Sequence, residues 1–379
     1  MIVKEVKAEK IKTSNNKDTI QVTINKIYIA SVPLGTSTGK HEVNPFHKKG
    51  VDFCVKQINN SKELIGLKFE KFMDMEIVEK HFKNLGGNSV LALQYAVLRA
   101  MSDNNVYQFL NKNADKMPVP LGNVVGGGAH FKGNASDFQE FLLIPRSNKF
   151  SENTFANEYV HRQIGREYHN AKKTIEGAYA LNFNNIRVLD FLRRVIKKTE
   201  KELGFKIDIG IDMASSSFFK KNKYNYNNYS YSTSKKSLNK KEQIDFVNRL
   251  VDDYDIKYVE DPLNENDFNG FREIKADLVC GDDLICTNIE RLEKAIGKIN
   301  CIIVKPNQIG SLIKTKEVID FAKENKIMTV MSHRSGETMD SMISHLAVGF
   351  EIPYIKLGIY GKERVAKVRE LIKIEKSMR

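Results

Sequence analysis

Apolar and polar positions follow two rhythms along the chain. Thr19 to Pro33, TIQVTINKIYIASVP, alternates apolar and polar side chains with the period of paired strands. Residues 51–112 change to helical spacing, and NSVLALQYAVLRAMS within them predicts an apolar core helix opened by Asn88 or Ser89 as its cap. The prolyl, glycine-rich segment Met117 to Gly128 breaks that pattern, and a domain boundary is expected there, between an α+β unit over 1–116 and the remainder, 117–379. In the second half, short apolar runs (IDIGID, IKYVED, LVCGDD, CIIVKP, IMTVMSH, YIKLG) alternate with helical stretches. Such alternation predicts parallel strands joined by crossover helices, closed as a (β/α) barrel, so the fold class is α/β.

Each of the six runs ends in an ionisable residue: Asp212, Glu260, Asp282, Lys305, His333 and Lys356. In a parallel barrel the strand C-termini open on one face, so these residues are expected to converge. Three carboxylates at strand ends suit a hard divalent cation, magnesium by default; the alternative is ion pairing with Lys305 and Lys356. A lysine beside a metal and other cations has a lowered pKa and serves as a base. Metal and base together remove a weakly acidic proton α to a carboxylate, the cation stabilising the enediolate.

The chain has 379 residues, 41% hydrophobic and 28% charged, which excludes a disordered chain, a collagen-like repeat and a disulfide-stapled miniprotein. No apolar run reaches the roughly 18 residues of a membrane span, and MIVKEVKAEK lacks a signal-peptide core, so a soluble cytoplasmic protein is expected. Cys54, Cys280, Cys286 and Cys301 form no CxxC and read as small core residues. The net charge of +13 favours anionic partners, phosphorylated metabolites or nucleic acid, although most of it reads as solvated lysine. Phe218 to Lys241 interleaves Tyr with Lys and could stack on nucleic acid; a surface hairpin of biased composition is the favoured reading.

The motifs VPLGTSTGKHE, PVPLGNVVGGGAH, QEFLLIP, IDMASSSFF, VEDPL, GDDL, VKPNQIGS and MSHRSGETMD together resemble the enolase family, over nearly the whole chain and most clearly over 118–375. The resemblance implies a capping domain before the barrel and a phosphopyruvate hydratase, a carbon–oxygen lyase of glycolysis that reversibly dehydrates 2-phosphoglycerate to phosphoenolpyruvate with Mg2+. It implies Asp212, Glu260 and Asp282 as metal ligands, with Ser37 of the closing loop on a second ion. Lys305 is then the base at C2, and Lys356 faces the substrate carboxylate. Arg334 and Ser335 bind phosphate, His333 lies beside the leaving hydroxyl, His130 closes near the phosphate, and Glu140, beside Gln139, lines the site. Taken singly, Arg334 could pair with Glu337, His130 could be a loop histidine and Ser37 a turn residue. A homo-oligomer is implied; nucleic acid and membrane partners are not expected.

Several positions depart from the family pattern. The Asp-Glu-Gly-Gly-Phe motif that carries the general acid matches TIEGAYAL, with Glu176 as the acid, Ile175 in place of the aspartate and Ala178 in place of the second glycine. TSNNKDT replaces Ser-Arg-Gly-Asn-Pro, Leu34-Gly35-Thr36 opens the closing loop, NPFHKKG replaces an acidic stretch, and IKLGIY stands where Gly-Ala-Pro would follow the lysine. Two other functions are compatible with these departures: a paralogue acting on another 2-hydroxy or phosphorylated acid, and a non-catalytic RNA- or protein-binding relative.

Overall fold

A computed structural model describes residues 1–36 and 39–378. The chain opens with an antiparallel sheet of β1 (Val6–Lys12), β2 (Asp18–Ile24) and β3 (Tyr28–Ser31). The alternation in Thr19–Pro33 is the alternation of β2 and β3, whose Ile20, Val22, Ile24 and Ala30 are buried. Helices α1 (Val51–Asn60), α2 (Glu76–Phe82), α3 (Gly87–Met101) and α4 (Val106–Leu110) follow. The start of α3 differs from expectation. Its N-cap is Gly86 at φ 89°, and a Cβ there would meet the Phe46 backbone at 2.5 Å. Asn88 and Ser89 sit in the first turn instead, donating to the Pro33 and Leu85 carbonyls. A glycine is needed because the helix begins against a second backbone with positive φ.

Eight strands then close a barrel: β4 (Val119–Gly126), β5 (Glu140–Pro145), β8 (Ile207–Asp212), β12 (Ile256–Glu260), β13 (Leu278–Gly281), β14 (Cys301–Val304), β15 (Met328–Ser332) and β16 (Tyr354–Lys356), with β16 pairing back to β4. Between β5 and β8 the chain forms α5 (Phe150–Glu167), a small ladder of β6 (Lys172–Lys173) and β7 (Tyr179–Ala180), and α6 (Asn185–Leu203). The six strands from β8 to β16 carry the six apolar runs and are parallel, as their spacing predicts. β5 is antiparallel to both of its neighbours, because it follows β4 without a crossover helix. Its first residue, Glu140, therefore pairs with Asp212, the last residue of β8, and reaches the same barrel mouth.

The outer helices are α7 (Lys240–Tyr254), α8 (Phe268–Phe271), α9 (Ile289–Ala295), α10 (Pro306–Ile309), α11 (Leu312–Glu324), α12 (Met342–Gly349) and α13 (Lys362–Ser377). Their starts are written locally: Asn184, Asn239, Asn288 and Ser311 accept backbone N–H groups at the N-termini of α6, α7, α9 and α11. Inward-facing Leu121, Leu142, Ile144, Tyr258, Cys280, Cys301, Ile303 and Val330 fill the barrel. All four cysteines are buried and free. No helix among the described residues is long and apolar enough to cross a membrane.

The Lys/Asn/Tyr segment forms a second antiparallel sheet of β9 (Phe219–Lys220), β10 (Lys223–Tyr226) and β11 (Lys236–Leu238). Tyr224 and Tyr226 are buried against Phe218, and Tyr226 also packs on Phe138 and Phe246. Tyr229 packs on Phe246, and exposed Tyr231 donates to Asp190. The tyrosines are thus used inside the fold or tied to its surface.

Candidate active site

The strand ends meet as their order predicts. Asp212, Glu260 and Lys356 close β8, β12 and β16; Asp282, Lys305 and His333 follow β13, β14 and β15 directly. One recess at this mouth is lined by His130, Glu140, Glu176, Asp212, Asp282, Lys305, His333, Arg334, Ser335 and Lys356. Glu260 forms no part of that lining; fully buried, it reaches the site through Lys356. Ser37 lies outside the described residues.

The lysines hold the carboxylates together. Lys356 Nζ lies 3.0 Å from Asp212 Oδ2, 3.0 Å from both Glu260 oxygens and 3.1 Å from Glu140 Oε2. Lys305 Nζ donates to Asp282 Oδ2, whose other oxygen accepts from Gln308 at 3.0 Å. Gln139 donates to Asp212 at 3.0 Å, and Tyr258 to Glu260 at 2.7 Å from below. Burial and the neighbouring Asp212 push Glu260 up to about 8. Burial also drives Glu140 well above the usual carboxylate range despite Lys356. A surplus of acid in a dry site is a demand for positive charge.

The donor set fits a hard divalent cation: Asp212, Glu260 and Asp282 are oxygen donors, and no thiol or imidazole stands among them. Among the described residues, potential ligand atoms come within 4.8 Å of one another in two other groups, Asp261 with Asp282 and Asp283, and His130 with Glu140 and Glu176. Lys305 and Lys356 hold the expected trio by ion pairs, as the alternative reading expects. The lowering expected for Lys305 depends on a metal beside it; Asp282 acts on the same ammonium in the opposite sense. Burial opposes its charge, but Asp282 overrides that and holds the ammonium well above its usual range.

Glu176 projects from the turn between β6 and β7, its Oε2 3.4 Å from His333 Nε2 and 3.9 Å from His130 Nδ1. Burial lowers the pKa of both imidazoles, which favours their neutral forms. Arg334 does not send its guanidinium to Glu337, which instead accepts the Arg334 backbone N–H at 2.9 Å. The guanidinium grips Glu42 with both terminal nitrogens, at 2.9 and 3.1 Å, and Asn307 at 3.0 Å. Ser335 Oγ accepts the Thr36 N–H at 2.7 Å. Glu42 was not singled out from sequence, although it ends the quoted VPLGTSTGKHE. Asp261, which accepts the N–H groups of Asp282 and Asp283, was likewise passed over within VEDPL.

A barrel with carboxylates, a lysine and an arginine at its C-terminal mouth defines an acid–base enzyme of the metal-assisted barrel class. The family described as the enolase C-terminal TIM barrel domain matches residues 114–379. Enolases of Methanosphaera stadtmanae, Methanothermobacter thermautotrophicus and Archaeoglobus fulgidus are 38%, 37% and 36% identical, aligned over 100% of this chain and 97%, 97% and 98% of theirs. The chain belongs to the enolase family.

Proposed function

We propose that the chain is a phosphopyruvate hydratase, converting 2-phosphoglycerate reversibly to phosphoenolpyruvate. The observation that carries this reading is the meeting of Lys305, Lys356, Glu176, Arg334 and Ser335 in one buried recess of an enolase-family barrel. Arg334 and Ser335, assisted by His130, receive the phosphate, and the Arg334 fork leaves Glu42 to do so. Lys356 faces the substrate carboxylate. Asp212, Glu260 and Asp282 would hold Mg2+, with Ser37 on a second ion, and the metal supplies positive charge against the carboxylate and the developing enediolate.

Asp282, the partner that raises the Lys305 pKa, is one of the residues that would hold the metal; drawn to it, Asp282 would free Lys305 to act as a base. Lys305 Nζ takes the C2 proton, and the electron pair left behind becomes the C2–C3 double bond. The C3–O bond breaks as Glu176 delivers its proton, and the hydroxyl leaves as water. His333 lies beside that oxygen, and Glu140 lines the pocket wall.

Residues 1–116 are proposed to cap the barrel 117–379. Leu34 pairs with Gly336, Ser14 bonds to Glu337 and Ser31 to Thr338, all next to Arg334 and Ser335. A cytoplasmic setting and a homo-oligomer complete the proposal. The test is the ultraviolet absorbance of phosphoenolpyruvate on adding purified protein to 2-phosphoglycerate, with and without magnesium. Metal-dependent turnover is expected. Turnover of other 2-hydroxy acids, and none of 2-phosphoglycerate, would overturn the assignment.

A further inference from the structure

The turn that carries Glu176 is held in an unusual way. Inside, the Thr174 hydroxyl accepts the Glu176 N–H at 3.3 Å, the Thr174 carbonyl accepts the Gly177 N–H at 3.0 Å, and the His130 carbonyl accepts the Ile175 N–H at 3.3 Å. Ile175, in the place of the motif's aspartate, turns its side chain outward and is 41% exposed, so it does nothing to fix the acid. Gly177 adopts φ 89°, open to glycine at little cost but also the least restrained backbone available. The next peptide, Gly177–Ala178, is held at its carbonyl from outside the turn.

His161 of α5 is placed to do that. It is 5% exposed, and its Nε2 lies 2.9 Å from the Gly177 carbonyl oxygen. A carbonyl only accepts, so Nε2 carries the hydrogen and donates. The ring packs on Tyr179 at 4.6 Å and stacks on Tyr360 at 5.9 Å. Lys173 Nζ lies over both tyrosines, 4.9 and 3.9 Å from their centroids. Tyr360 also backs the turn itself: a Cβ on Gly177 would meet Tyr360 Cβ at 2.8 Å. The altered acid motif and the altered IKLGIY rim, apart in sequence, are in contact through this cluster.

We propose that His161 is the positioning residue of the acid, fixing the Gly177–Ala178 peptide on the exit side of Glu176 by its Nε2–H bond to the Gly177 carbonyl within a clamp of Tyr179, Tyr360 and Lys173. The role rests on the dehydratase reading, and it belongs to one half of the reaction. His161 is not among the residues that line the recess, which include Lys305. Its loss therefore slows C–O cleavage and spares proton removal at C2.

The experiment compares unmodified protein, His161→Ala, His161→Gln and Tyr360→Ala in two assays with Mg2+. One is turnover of 2-phosphoglycerate; the other is exchange of its C2 hydrogen with deuterated water, a measure of the Lys305 step alone. For His161→Ala, kcat is expected to fall about 10- to 100-fold, the cost of displacing a reacting group by about an ångström, with KM within about twofold. Exchange is expected to persist. His161→Gln, which retains a donor, restores part of kcat, and Tyr360→Ala shows a smaller loss of the same kind. An equal fall of exchange and turnover, or unchanged kinetics of His161→Ala, overturns the role. If His161→Ala does not fold by circular dichroism, the Gln and Tyr360 variants decide by the same split. No turnover by the unmodified protein would instead refute the dehydratase reading, and with it this role.

Discussion

The two sides of the recess are built differently. The base side, Asp282, Lys305 and Lys356, rides on strand ends of a closed eight-stranded barrel, each strand hydrogen-bonded on both edges. The acid side, Glu176, sits on a turn between two-residue strands at the barrel's margin, and only β7 touches the barrel, through β4. The acid side has lost two motif residues and is braced by side chains, whereas on the base side the departure, in IKLGIY after Lys356, falls beyond the strand end. A residue carried by a cooperative ladder needs no dedicated support, while one on a short turn depends on its neighbours.

The largest effect that would sharpen this contrast is removal of the base. Lys305→Ala is expected to lower kcat about 10⁴-fold in the absorbance assay, and substantial residual turnover would break the reading of that side. Next, Glu176→Gln is expected to lower kcat about 10³-fold while C2 hydrogen exchange continues; parallel loss of both would erase the division of labour. Lys356→Ala leaves Asp212, Glu260 and Glu140 without their shared cation. Metal-free protein should lose about 3 kcal/mol in urea unfolding, partly regained with magnesium. The smallest change is Glu42→Gln. Freed of a competing carboxylate, Arg334 should bind substrate more tightly, lowering KM about fivefold. A rise in KM would show that the Glu42 contact serves closure rather than competing with phosphate.

Much of the barrel was legible because short apolar runs with ionisable ends recur between helical stretches. The parallel order of β8 to β16 follows from that alternation. The antiparallel β5 was not legible. QEFLLIP is a continuous apolar run, which does not encode strand direction, and only its pairing with β8 brings Glu140 to the mouth. The hairpin tyrosines left stacking open beside the favoured surface hairpin, since composition does not say which face a short strand buries; Phe138 and Phe246 decide that. His161 carried no signal at all, because a lone histidine on a helix reads as a core residue until its carbonyl partner is known.

By itself, the sequence determined which chemical groups are present and the order in which strands deliver them to one face, since both depend on local periodicity and residue type. The tertiary structure decided each charge's partner. Arg334 meets Glu42 across 292 residues and Lys356 meets Asp212 across 144. Such pairings decide whether Lys305 is held charged and whether Glu176 is held still. They depend on distance and dielectric through space, which no local pattern along the chain records.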